Sequence, residues 1–315
     1  MKKSLKIGMI ILLVISIVVI TSFLVGYFYL KSKLSLATFK ELDYDDLGIE
    51  KTINDGKVII DETIKFAIFG SDSRDEDNQY AGRSDAIIIV SMNTTKKTIS
   101  LISIPRDSYV NVPGYGYTKI NHAYAYGQEQ LSLKTINTNF GLDIDQYITI
   151  DFSGLVNVVD FLGGVELNLS QEEVNFINAR TTGNKLSASG TMTLNGTQAL
   201  IHSRNRYVGN DFYRTSRQRD IMIALMEKIS KKSPTEILNM SDVILSNVTT
   251  NMNIDKYTNM FKKLSGDIKT YSGNVKSVQI PSTEYGYDQM IGGIYYFGFD
   301  MDIAKQDFQS VIYGD

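Results

Sequence analysis

Cysteine is absent from the 315-residue chain, and only two histidines are present, His122 and His202. The first absence excludes disulfides, thiolate nucleophiles, cysteine-based zinc sites and a lipidated N-terminal cysteine. The second leaves no convincing Ser/His/Asp or Cys/His arrangement for covalent catalysis. A net charge of −3 and the lack of a lysine-rich tail give no general attraction to nucleic acid. A secreted eukaryotic ectodomain of this size usually holds disulfides. The Asn-x-Ser/Thr matches starting at Asn93, Asn168, Asn195, Asn239 and Asn247 therefore read as chance, and a bacterial membrane protein fits better.

Charge is also missing from Ile7 to Leu30, a run that would span about 36 Å as a helix and so cross a bilayer with some tilt. Lys2, Lys3 and Lys6 before it favour a cytoplasmic N-terminus. A cleavable signal peptide would have a shorter apolar core, and Ser35-Leu36-Ala37 is a poor cleavage site. The expected organisation is a cytoplasmic tail over 1–6, a single transmembrane helix over 7–30, a stalk over 31–62, and an extracytoplasmic domain over 63–315. The hydrophobic content of 43% is enough to give that domain a full core.

Arginine is missing everywhere except between Arg74 and Arg219, where all nine stand. A guanidinium offers a planar fork of donors that fits two oxygens of a phosphate or carboxylate at once, which an ammonium cannot do. Its confinement points to oxyanion recognition within that block.

Three short β-rich runs, Ile64–Phe69, Ala86–Met92 and Thr98–Ile104, open the domain, with a turn at Asn93–Lys97. Helical spacing over Glu129–Phe140 stops at Gly141, Gln146–Phe152 is strand-like, and Ser153–Leu162 reads as a helix ended by Gly163-Gly164. Val165–Leu169 returns as a strand, and Thr197–Ser203 and Ser216–Lys231 are helical. This alternation implies a mixed sheet covered on both faces. Ile221, Leu225 and Ile229 form one stripe of the last helix, beside Met222 and Met226. The stripes read as core, or as an adaptable wall for a flexible acyl or prenyl chain. Helices over Thr235–Leu245 and Asp255–Leu264 and a strand over Val275–Ile280 follow, and 231–315 holds no motif assignable to chemistry.

Gly70-Ser71-Asp72-Ser73-Arg74 follows the first strand and Gly82-Arg83-Ser84-Asp85 precedes the second. Asp72 and Asp85 can jointly hold Mg²⁺, which takes one or two carboxylates plus phosphate oxygens; loop ion pairing is the plainer alternative. Ser103-Ile104-Pro105-Arg106-Asp107 ends the third strand, and Lys119 follows a glycine- and tyrosine-rich loop, Val112–Tyr117, that can cover a ligand. Five arginines, Arg204, Arg206, Arg214, Arg217 and Arg219, fall within 16 residues, with Asp211 and Asp220 as the only nearby acids. Repulsion among them calls for an anion, the more so at a helix N-terminus whose dipole is already positive. Arg180 fits neither group, and it and Arg219 read as structural.

Taken in this order, the segments Phe69–Arg74, Gly82–Asp85, Ser103–Asp107, Lys119–Asn121, Leu162–Val165, Leu194–Leu200, Arg204–Arg206 and Arg217-Gln218 resemble the LytR-CpsA-Psr family of bacterial cell-wall phosphotransferases. The resemblance implies an α/β/α sandwich with an apolar tunnel. It also implies transfer of an anionic glycopolymer, such as wall teichoic acid or capsular polysaccharide, from an undecaprenyl-pyrophosphate carrier to peptidoglycan through a phosphodiester bond. It places Arg106, Arg204, Arg206 and Gln218 on the pyrophosphate, Arg74, Arg83 and Lys119 on phosphate oxygens, and Mg²⁺ on Asp72 and Asp85. His202 stands where the family usually has an aromatic residue, which would make the pocket wall more polar. Asp85 is preferred to Asp72 as the base that takes the acceptor proton, because a metal-ligating carboxylate is the poorer base. Two other readings remain: hydrolysis of the same lipid-linked substrate, and a non-enzymatic membrane regulator or lipid sensor.

Overall fold

The computed structural model describes residues 32, 35–49, 63–71, 82–208, 211–253, 256, 270, 271 and 273–314. The expected transmembrane run at 7–30, half of the stalk, Asp72, Arg74 and, apart from Lys256, the helix expected over Asp255–Leu264 lie outside them. Among the described residues no helix is long and apolar enough to cross a membrane.

In chain order the strands are β1 (Thr38–Phe39), β2 (Thr63–Ser71), β3 (Ser84–Asn93), β4 (Thr98–Ser103), β5 (Tyr109–Val112), β6 (Gly116–Lys119), β7 (Tyr147–Asp151), β8 (Val165–Leu169), β9 (Gly190–Leu194), β10 (Val248–Thr250), β11 (Val275–Gln279), β12 (Gly286–Ile291) and β13 (Ile294–Phe299). The α-helices are α1 (His122–Phe140), α2 (Phe152–Phe161), α3 (Gln171–Asn178), α4 (Gly196–Ser203), α5 (Asp211–Ser230), α6 (Pro234–Ser246) and α7 (Met301–Tyr313). Seven strands make one sheet in the order β1-β10-β7-β2-β3-β4-β11. It is mixed as expected, for β2 pairs parallel with β7 and antiparallel with β3.

Strand alternation decides the layers, because successive side chains leave opposite faces of a sheet. Ala67, Phe69, Ile87, Ile89 and Ile102 pack with Leu133, Ile136 and Phe140 of α1 and with Ala304, Phe308 and Ile312 of α7. Their neighbours Phe66, Ile88, Val90, Met92 and Leu101 form a second cluster, against which Met222, Ile223 and Met226 of α5 pack. The sheet is therefore covered on both faces. Phe140 and Phe308, both fully buried, meet at 4.9 Å between ring centroids, and each such burial contributes roughly 1.5–3 kcal/mol.

Three sequence expectations change. Val112–Tyr117 is not an open loop but the turn and second strand of the antiparallel β5–β6 hairpin. Phe152 belongs to α2 rather than to a strand, because the Asp151 carboxylate caps the helix by accepting from the Gly154 N–H at 2.7 Å. Helix α5 begins at Asp211 and not at Ser216. Its first turns are fastened by tertiary contacts that carry no local signature: Phe212 meets Phe297 edge-on at 5.0 Å, and the Thr215 hydroxyl donates to Gln279 at 2.6 Å. The unassigned region 231–315 supplies β10 and β11 to the sheet and α7 to its rear layer.

Candidate active site

A cavity of about 360 Å³ lies between the sheet and helix α5. Its polar end holds Asp85 at the start of β3, Arg204 and Arg206 just after α4, and Arg214 and Gln218 on α5. Its apolar walls come from Ile68 of β2, Ile88 of β3, Ile150 of β7, Leu155 of α2, and Ile221, Met222 and Leu225 of α5. Along α5 the lining runs Arg214, Gln218, Ile221, Met222, Leu225, spacings that keep one helical face toward the cavity over roughly 16 Å. The same order recurs in the sheet. Gly70 pairs with Ala86 beside Asp85, and Ile68 pairs with Ile88 two residues further on. The site is thus built as a charged mouth leading to an apolar interior. Both stripes of α5 contribute to the lining, and both also pack in the core.

Asp85 organises the mouth. Its Oδ1 accepts from Arg106 Nη1 at 2.5 Å, and its Oδ2 has Arg206 Nη2 at 3.9 Å. Burial alone would raise its pKa, but the charge and hydrogen bond of Arg106, with Arg214 and Arg206 beyond, hold it below the ordinary carboxylate value. Asp85 is therefore an anion fixed among guanidiniums. The network continues outward: Arg106 Nε lies 3.5 Å from Asp107, whose other oxygen meets Lys119 Nζ at 2.6 Å. Arg204 lies over the face of Phe152, 4.5 Å from the ring centroid.

The expected site residues separate into three groups. Asp85, Arg204, Arg206, Arg214 and Gln218 line the cavity. Arg106 and Lys119 stand behind them through carboxylate links, and Arg83 is exposed at the foot of β3, close enough to help lower the pKa of His122. Arg217, expected on the substrate, is turned into the protein instead. Its Nε donates to Glu173 at 2.7 Å, its Nη1 to the Asn205 carbonyl at 3.0 Å and its Nη2 to the Val208 carbonyl at 2.5 Å. The anion that offsets its charge is Glu173 of α3. Arg219 is structural as expected, donating to Ser277 at 2.8 Å.

His202 does not wall the cavity. It is 3% exposed on α4, and burial, opposed by Glu173 and reinforced by Arg217, pulls its pKa down to about 4. Sequence reasoning passed over Asp151, Phe152 and Ser203, which also line the cavity. Asp151 ends a strand that lies parallel to β2, opposite Ser71, a location shared with the motif-bearing loops, and that was the available signal.

Among the described residues no group of three or more His, Asp or Glu side chains could cage a metal. The weaker requirement of Mg²⁺, one or two carboxylates plus substrate oxygens, is compatible with Asp85, which is anionic and faces the cavity.

A covered mixed sheet with a guanidinium-ringed mouth above an apolar cavity defines an α/β protein built to take an oxyanion attached to a greasy chain. The chain belongs to the LytR_cpsA_psr family, whose model matches residues 28–311. It is 31% identical over 242 residues to the polyisoprenyl-teichoic acid–peptidoglycan teichoic acid transferase TagT of Bacillus subtilis strain 168, covering 75% of this chain and 72% of that protein. It is similar to the solved structure of TagT bound to LIIa-WTA, with a TM-score of 0.66 at 30% identity over 80% of this chain and 91% of that one. It is also similar to the TagT structure with bound octaprenyl pyrophosphate lipid, with a TM-score of 0.62 at 27% identity and the same coverage.

Proposed function

We propose that this protein is a membrane-anchored transferase that moves an anionic glycopolymer of the wall teichoic acid type from a polyprenyl-pyrophosphate carrier to peptidoglycan. The observation that carries the reading is the gradient along one cavity, from Asp85, Arg206 and Arg214 to Ile88, Met222 and Leu225. A pyrophosphate fits the first end and a prenyl chain the second. The relatives named for polyisoprenyl-linked teichoic acid and for bound octaprenyl pyrophosphate support the same assignment.

In this reading Arg204, Arg206, Arg214 and Gln218 bind the phosphate oxygens, and Arg106, aligned by Asp85 and Asp107, stands ready to neutralise charge as it develops. The acceptor hydroxyl attacks the phosphorus next to the polymer. A new P–O bond forms, the bond to the bridging oxygen breaks, and polyprenyl phosphate leaves, the oxygen it keeps from the broken bond taking up the hydroxyl proton. Mg²⁺ held by Asp85, with Asp72 from outside the described residues, would add charge neutralisation at the same oxygens. Asp85 itself is a weak proton acceptor, since its neighbours favour the ionised form; we assign it to positioning the arginines and metal rather than to proton removal. The uncharged run at 7–30 would hold the domain at the outer face of the membrane.

Incubation with labelled lipid-linked polymer and peptidoglycan tests the reading. Covalent attachment is expected; release of free polymer without attachment would instead establish hydrolysis, and neither product would leave a lipid-binding regulator.

A further inference from the structure

The β5–β6 hairpin lines no part of the cavity, yet aromatic surface collects at its tip. Tyr115 is 57% exposed, Tyr117 66%, and Tyr126 in the first turns of α1 42%. Contiguous exposed rings mark binding surfaces more often than isolated ones do. The rings of Tyr115 and Tyr126 stack at 4.4 Å between centroids with 21° between planes. They are positioned in advance. The Tyr115 N–H donates to the Val112 carbonyl at 2.9 Å, in a turn flanked by Gly114 and Gly116 at φ of 83° and 76°. Tyr126 rests 5.8 Å from the His122 ring, whose Nδ1 shares a hydrogen bond of 2.8 Å with Thr118.

A chain of contacts links this surface to the active site. From the cavity, Asp85 leads to Arg106, Arg106 to Asp107 and Asp107 to Lys119. Lys119 shares a hairpin face with Tyr117, since the two residues are separated by one position on β6. Thr118 between them leads through His122 to Tyr126 and Tyr115. The cations thus stand between the cavity and the rings.

We propose that Tyr115 and Tyr126 form a saccharide platform that seats the glycan strand of the acceptor, an inference that rests on the transferase reading. A pyranose presents an apolar C–H face bordered by hydroxyls. A rigid tyrosine matches both, with its ring face and its phenol. An anionic donor is retained at the arginines and Lys119, while an uncharged sugar face settles on the tyrosines. The acceptor hydroxyl then reaches the phosphorus from the charged mouth, and the prenyl chain keeps the apolar end.

The test uses the full chain with lipid-linked polymer and uncross-linked strands of N-acetylglucosamine and N-acetylmuramic acid. In Y115S/Y126S the KM for the strand should rise about tenfold, with the KM for the lipid donor unchanged. Y115F/Y126F keeps the ring faces and loses only the phenols, so its strand KM should rise less than that of Y115S/Y126S. Saturation-transfer NMR should show the sugar ring protons responding to wild-type protein and losing most of that response with Y115S/Y126S. An unchanged strand KM with unchanged saturation transfer would overturn the platform, as would a rise confined to the donor KM. If the wild-type chain attaches no polymer, the transferase reading fails, and saturation transfer alone still decides whether these tyrosines bind glycan.

Discussion

Replacing Arg106 by alanine removes the donor that holds Asp85 at 2.5 Å and the cation next to Asp107. Loss of one preorganised charge-stabilising donor should lower attachment by roughly 10²–10³-fold, measured as labelled polymer joined to peptidoglycan, with thermal unfolding checking that the fold persists. Arg217→Ala should do the reverse, lowering stability more than turnover, because its donors serve Glu173, Asn205 and Val208. His202 makes a prediction about pH. Its folded pKa, about 4, lies below the ordinary 6.5, so the unfolded chain binds the proton more tightly. Stability is complete above pH 6.5 and falls as pH drops toward 4, by at most about 3 kcal/mol. Denaturant titrations at pH 7 and 4.5 should show this loss, and His202→Leu should flatten it. At this scale residue types were legible and partners were not: Arg214 and Arg217 stand three positions apart on one helix, yet one faces the cavity and the other Glu173.

Helices α2 and α4 approach so closely that a side chain at Gly196 would place its Cβ 2.3 Å from the Val156 carbonyl oxygen. Gly196→Ala should therefore cost about 1–3 kcal/mol, read as a lowered unfolding midpoint. Since α4 delivers Arg204 and α2 delivers Phe152 beneath it, donor binding should weaken as well. Helix α5 forms the other side of the cavity. Met222→Trp fills the apolar end, so the KM for a long prenyl carrier should rise more than that for a short-chain one, because only the long chain needs the occupied volume. The strands β2, β3 and β4 follow their β-rich runs closely, since alternation with β-branched residues is a local signal. The start of α5 and the β5–β6 hairpin were misread because Phe297, Gln279 and the core decide them from far along the chain.

For the whole molecule, the run at 7–30 predicts that a chain starting at Lys31 will leave the membrane fraction while the full chain stays in it, as fractionation of expressing cells would show. The sequence by itself determined the class of chemistry. Nine arginines confined to one block, with aspartates at strand ends, pointed to an oxyanion, and the order of the motifs pointed to the family. Alternating apolar residues likewise determined a sheet covered on both faces, because that pattern is written one residue after another. Only the tertiary structure decided which arginines face the cavity. A guanidinium binds whatever oxygen folding brings to it, and folding brings Glu173 to Arg217 and Asp85 to Arg106 from 44 and 21 residues away. The cavity belongs to the same category. Its apolar end exists because β2, β3, β7, α2 and α5 meet there, and no single segment of the chain contains that meeting.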